Sequence, residues 1–259
     1  MNERLDPMSL KVDLNADMGE SFGPWKMGAD AALLDVVTSA NIACGFHAGD
    51  PDVMAETMRI AVEKGVGIGA HPGFADLQGF GRRRMNLPSQ TLQNMIRYQL
   101  GAAQAMARAA GGHVRHFKLH GALSNMASED ADLARACFQA ALDIDPDIII
   151  MVLAATQMES VVRDLGCNWA GEIFADRAYN DDATLVDRSL EGAMIHDADF
   201  AGQRIAQMVR SGAIIAQSGL HIPTRIDTIC LHGDTAEALD IAKSCRAALK
   251  AADIKVSRF

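Results

Sequence analysis

Within the stretch Ser39–Pro51, SANIACGFHAGDP, an apolar run turns glycine-rich and then presents Cys44, His47 and Asp50. A thiol, an imidazole and a carboxylate this close can serve nucleophilic attack, proton transfer or metal binding. The arrangement recurs. His71, His120 and His232 also follow short apolar runs, beside Gly69 and Gly73, Gly121, and Gly233 respectively. Glycine permits a positive φ and a close approach of ligand to backbone. One histidine after a strand is most simply structural, because turns use such residues freely. Four histidines after four different strands point instead to one shared pocket.

Other polar residues keep the same company. The first apolar run ends in Asp13, Asn15, Asp17 and Glu20; Lys118 and Asn125 flank His120; Glu172, Asp176 and Arg177 close a further run; Asp234 follows His232. Asp13 or Asp17 with His47 and His71 would make a divalent-metal site of one carboxylate and two imidazoles, able to activate water at neutral pH. No candidate helix carries an HxxxH or HExxH pair that would fix two such ligands. The loop Gly79-Phe80-Gly81-Arg82-Arg83 could clasp a phosphate or carboxylate through bidentate arginine contacts, or could be a plain solvated loop. Cys44 lies between Ala43 and Gly45 at a strand end, which makes covalent catalysis the weaker option. There is no GxxxxGK[ST] loop and no GxGxxG after a strand, so neither common nucleotide site is indicated.

The elements that must hold these residues alternate. Candidate strands are Lys11–Leu14, Ala40–Cys44, Val66–Ala70, Val114–Leu119, Ile148–Ala154, Trp169–Ala175 and Thr228–Leu231, mostly apolar without strict alternation, as in strands buried on both faces. Helices between them carry recognisable signals. Asp50-Pro51 opens one that stops at Gly65, and Pro88-Ser89 opens a long one ending at Gly111-Gly112. Thr156 with Glu159, and Asp234 with Glu237, read as capping boxes, and Gly166 as a stop. Phe200, Ile205, Met208 and Val209 mark an amphipathic helix over Ala198–Ser211. The pattern predicts an α/β fold: a single (β/α) barrel of about seven parallel strands over residues 10–259, one unit short of a TIM barrel, with residues 1–9 as an extension. An open doubly wound sheet is the alternative. In a barrel, chemistry gathers at the C-terminal strand ends, where these polar residues fall.

Composition narrows the function. The chain has 259 residues and a formal net charge of −9, with no basic stripe, which argues against nucleic acid or an anionic membrane as partner. Its five cysteines are irregularly spaced without a CxxC, so free thiols in a reducing compartment are expected rather than a disulfide scaffold. The start, MNERLDPMSLK, lacks the apolar core of a signal peptide, and no apolar run approaches the length of a bilayer span. A cytoplasmic protein is expected.

Taken together, VDLNADMGESFG, TSANIACGFHAGDP, GAHPGFADLQGFGRR, KLHGALSNMA, EIFADRAY and LHGDT resemble the LamB/YcsF family in order and over nearly the whole chain, from about Lys11 to Lys255. That family is described as the A subunit of the bacterial ATP-dependent 5-oxoprolinase. The resemblance implies a glycoside hydrolase/deacetylase-like barrel, a hydrolase acting on a cyclic amide, ATP with Mg2+ as cofactor, and partner subunits B and C. A homo-oligomer is also possible on this reading. Among the matching positions, Asp13, Asp17, His47, Lys118 and His120 are the expected catalytic groups, and Asn15, His71, Arg82, Glu172, Arg177 and His232 the expected substrate-binding ones. Asp13, His47 and His71 stay the candidates for a bound metal. The rival readings are a metal-dependent deacetylase acting on an N-acetylated sugar and a non-catalytic ligand-binding subunit. This sequence departs from the family pattern at Ala16, Leu119, Ser124 and Asp187, positions that leave the histidines and carboxylates intact.

Overall fold

The computed structural model describes residues 10–231 and 238–259. In chain order its strands are β1 (Lys11–Met18), β2 (Ser39–Ala43), β3 (Gly67–His71), β4 (Val114–Lys118), β5 (Ile149–Leu153), β6 (Trp169–Phe174), β7 (Ala213–Ile215), β8 (His221–Pro223), β9 (Thr228–Leu231) and β10 (Lys255–Val256). The helices are α1 (Asp30–Leu33), α2 (Pro51–Glu63), α3 (Ser89–Ala109), α4 (Gly121–Glu129), α5 (Ala131–Leu142), α6 (Gln157–Leu165), α7 (Ala198–Ser211) and α8 (Ala238–Ala251). Strands β1 to β6 and β9 pair in parallel, and β9 returns to β1 with Asp13 opposite Thr228 and Asn15 opposite Cys230. A closed barrel of seven parallel strands results. The open sheet is excluded by that closing pair. The short β10 runs beside the start of β1, and β7 with β8 forms an antiparallel hairpin between α7 and β9.

The local signals explain most elements. Asp50 caps α2, its Oδ1 accepting from the backbone N–H of Asp52 and Val53 at 2.9 Å. Thr156 caps α6 by accepting from Met158, and Glu159 reaches back to the N–H of Ala155. Gly166 ends that helix in the left-handed region at φ +62°. Helix α7 buries Ile205, Met208 and Val209, whereas Phe200 is 55% exposed and stands off the packed face. The expected cap at Asp234 and Glu237 lies outside the described residues, as does the stretch 1–9. No helix among the described residues is long and apolar enough to cross a membrane.

Strand β1 corrects one expectation. It runs to Met18 rather than ending at Leu14, and it alternates. Leu14, Ala16 and Met18 join the apolar core under the helices. Asp13, Asn15 and Asp17 face the barrel interior, so these residues belong to the strand itself and not to the loop after it. The interior is accordingly a ladder of polar side chains. At its foot Thr38, Ser39 and Thr228 donate to the Asp13 carboxylate at 2.6, 2.8 and 2.6 Å. One tier up, Asn15 donates to Thr228, and the amide of Asn41 donates to Asn15 and to Asp17 at 2.7 and 2.8 Å. His116 Nε2 donates to Asn41 Oδ1 at 2.8 Å. Burying such groups is tolerable because each has a partner.

Gly69 makes room for this ladder: a Cβ there would fall inside the imidazole of His116. Gly69→Ala should therefore cost about 1–3 kcal/mol in urea unfolding. Combining it with His116→Ala should give a loss smaller than the sum of the two single losses.

Candidate functional site

At the C-terminal ends of the strands the barrel opens into a cavity of about 730 Å³. Asp17, Glu20, His71, Lys118 and His120 form its floor, and Arg82, Arg84, Arg177 and Arg188 stand on the loops around it. The floor centres on Lys118, the last residue of β4. Only 3% exposed, its ammonium lies 2.8 Å from Asp17 Oδ1 and 2.8 Å from Glu172 Oε1, donates to Cys230 Sγ at 3.0 Å, and faces the Phe174 ring. Burial opposes a charge on Lys118, but the acidic neighbours, Asp17 foremost, outweigh it and hold its pKa well above the lysine norm. Burial raises the pKa of Glu172, against the pull of Lys118. Burial likewise lifts the Cys230 thiol far above the usual range.

Beside this triad three histidines and a carboxylate converge. Ligand-type atoms of Glu20, His47, His71 and His120 all lie within 4.8 Å of one another, and all four residues are buried. His71 Nδ1 meets the carbonyl of Lys118 at 2.9 Å, and His120 Nε2 meets the carbonyl of Phe80 at 2.8 Å. His71 Nε2 and His120 Nδ1 then face each other at 3.0 Å. His47 stacks on His120 with ring centroids 3.6 Å apart. Burial, then the neighbouring imidazoles, push the pKa of His47 well below the histidine norm; burial and His71 do the same to His120.

The loop after β3 closes over the histidines. Asp76 braces it, accepting from the Gly79 N–H and pairing with Arg83. Gly81 sits at φ +61°, and a Cβ there would come within 2.7 Å of His47 and 2.9 Å of His120. Only glycine can lay this turn on the stacked rings. Arg83 is thereby occupied with loop structure, while Arg82 stacks on Phe80 and faces the cavity. Arg177 is buried, donates Nη2 to the Val186 carbonyl at 2.6 Å, and leaves its Nε with no hydrogen-bond partner. Burial, then the nearby Arg188, lowers its pKa to about 10. Such a guanidinium is suited to an incoming anion.

Of the residues singled out in the sequence, Asp17, His71, Arg82, Lys118, His120 and Arg177 line the cavity. His47 and Glu172 lie behind its wall, against lining groups. Asn15 is a rung of the interior ladder. Asp13 is not at the mouth: four strand residues below Asp17, it lies about 13 Å away down the barrel. Its carboxylate accepts from three hydroxyl donors at the foot of the barrel, away from the histidines. The acid that joins them is Glu20. His232 lies outside the described residues. Cys44 is buried, burial pushing its thiol up to about 12, which removes it as a nucleophile. Sequence reasoning assigned no role to Glu20, Cys230, His116, Arg84 or Arg188. Glu20 carried a signal, since it closes the polar run of β1. Cys230, inside the apolar Thr228–Leu231, carried none.

The family model described as LamB/YcsF family matches residues 12–259. A protein of Ruegeria pomeroyi, named as the A subunit of 5-oxoprolinase, is 69% identical over 96% of this chain and 98% of its own length. The crystal structure of a lactam utilization protein from Thermus thermophilus superimposes with a TM-score of 0.90 at 41% identity, covering 96% of this chain and all of that one. A GH113 β-1,4-mannanase, 12% identical with a TM-score of 0.51 over 95% of this chain and 99% of its own, shares the fold alone.

Two outcomes test this site. Lys118→Met leaves Asp17 and Glu172 facing each other without a cation; it should cost about 3–5 kcal/mol in chemical denaturation, and Glu172→Gln should restore part of that. Iodoacetamide at mildly alkaline pH should label Cys167, the half-buried thiol, ahead of the buried Cys44, Cys137, Cys230 and Cys245, read by peptide mass spectrometry.

Proposed function

The chain belongs to the LamB/YcsF family, and on that premise we propose that it is the A subunit of an ATP-dependent 5-oxoprolinase, opening the lactam of 5-oxo-L-proline to L-glutamate. The observation that carries this reading is the pairing of a buried Lys118–Asp17–Glu172 floor with an arginine rim over one small cavity. A five-membered lactam bearing a carboxylate, with a phosphoryl group on its amide oxygen, is small, polar and strongly anionic. Arg82, Arg177 and Lys118 match that charge.

The chemistry needs the phosphoryl group because an amide is a poor electrophile. Attack of the amide oxygen on the γ-phosphorus of Mg2+-bound ATP releases ADP and makes the ring carbon attackable. Asp17 takes the proton of a water that adds to that carbon. The tetrahedral adduct expels the ring nitrogen, which receives the proton held by Asp17, and leaves an acyl phosphate. A second water hydrolyses it to glutamate and phosphate. The reaction consumes one ATP and two waters. Neither common nucleotide-binding motif occurs in this sequence, so partner subunits B and C are the proposed site of phosphorylation and this cavity the site of ring opening.

An ATP-independent amidohydrolase acting on an N-acetylated sugar is the second reading, favoured by the cluster of Glu20, His47, His71 and His120. Glutamate release from 5-oxoproline with ATP and Mg2+ separates the two. Activity in the co-expressed assembly of this chain with B and C, and neither in this chain alone nor in B with C, supports the first. In that assembly Asp17→Asn should lower kcat at least ~100-fold as a lost proton acceptor. Arg82→Gln should act mainly on KM. Unchanged kcat in a folded Asp17→Asn assembly would remove Asp17 from the mechanism.

A further inference from the structure

The imidazoles at the cavity floor present an unresolved electrostatic problem. A backbone carbonyl only accepts, so the bond to the Lys118 carbonyl fixes the proton of His71 on Nδ1, and the bond to the Phe80 carbonyl fixes that of His120 on Nε2. Their remaining nitrogens, His71 Nε2 and His120 Nδ1, then aim lone pairs at each other across 3.0 Å. Glu20 Oε1 adds a negative oxygen 3.8 Å from His120 Nδ1 and 3.5 Å from His47 Nε2. His47 is fully buried, yet neither ring nitrogen has a hydrogen-bond partner.

We propose that Glu20, His71 and His120 hold a divalent metal ion of the zinc class. Ligands about 2.1 Å from a tetrahedral zinc stand about 3.4 Å apart; the His71–His120 and Glu20–His120 separations of 3.0 and 3.8 Å bracket that edge, and all the donor atoms lie within 4.8 Å of one another. Two imidazoles with one carboxylate suit zinc rather than magnesium or calcium. The carbonyls of Lys118 and Phe80 are the outer partners that orient metal-bound histidines. Gly81 gives the Phe80 carbonyl its position by admitting the turn onto the rings. Glu20, His71 and His120 line the cavity while His47 lies behind them, so the open side of the ion faces substrate. A metal there supplies Lewis-acid polarisation of a carbonyl or activation of a water. The inference rests on the donor geometry alone, independent of which amide the protein opens.

The test uses the full-length chain, stripped with chelator and dialysed, without substrate or partner subunits. Zinc titrated calorimetrically should bind at one equivalent with micromolar or tighter affinity, and cobalt should give the visible absorption of a tetrahedral site. His120→Ala and Glu20→Gln, each checked for a native circular dichroism spectrum, should weaken zinc at least ~10-fold and alter the cobalt spectrum. Failure of the wild-type chain to bind either metal, or equal binding by both folded variants, would overturn the assignment. Because no catalytic activity is read, a negative result here leaves the lactam reading standing, and loss of lactam activity leaves this one standing.

Discussion

The buried ammonium of Lys118 is the constraint from which the rest of the barrel mouth follows. A charge that deep persists only if opposite charge meets it at hydrogen-bond distance. Asp17 from β1 and Glu172 from β6 supply it, each 2.8 Å away on strands that reach β4 only because the barrel closes. The same carboxylate of Asp17 accepts from Asn41 and lies 3.4 Å from His71, which ties the charged centre to the polar ladder below and to the histidines beside it. No single strand could stabilise any of these groups alone.

The ladder explains why the barrel interior departs from an apolar core. In most such barrels bulky aliphatic side chains fill the middle. Here hydroxyls, amides and an imidazole are stacked from Asp13 upward, each bonded to the next. The tiers act as a rigid stalk beneath Asp17 and Lys118, and they require Gly69, since β3 must leave the volume that His116 fills. Apolar packing is exported to the outer face, where Leu14, Ile42, Phe117 and Ile229 meet the helices. Above, the loop braced by Asp76 brings Gly81 onto the stacked imidazoles and turns Arg82 toward the cavity. A polar interior, a charged floor and an arginine rim thus form one continuous network, suited to a small anionic substrate.

The order of strands and helices was written plainly in the sequence, because apolar runs and cap residues act over a few neighbours. All seven barrel strands fall where runs such as Val114–Leu119 and Trp169–Ala175 place them, and Asp50-Pro51 and Gly166 bound their helices as local chemistry requires. The recurrence of histidine after strands likewise marked one end of the barrel as the place for chemistry, and the ordered motifs marked the family. What the sequence could not state was depth. Asp13 and Asp17 are the same residue type two rungs apart, and only closure of β9 onto β1 sends one to the foot of the barrel among hydroxyls and the other to its mouth beside Lys118. Glu20 and Cys230 acquire their meaning in the same way, from neighbours 27 to 112 positions distant in the chain. Secondary structure is a matter of near neighbours and was legible. The charge, protonation and partners of each site residue depend on desolvation and distance across the closed barrel, and those exist only in the folded chain.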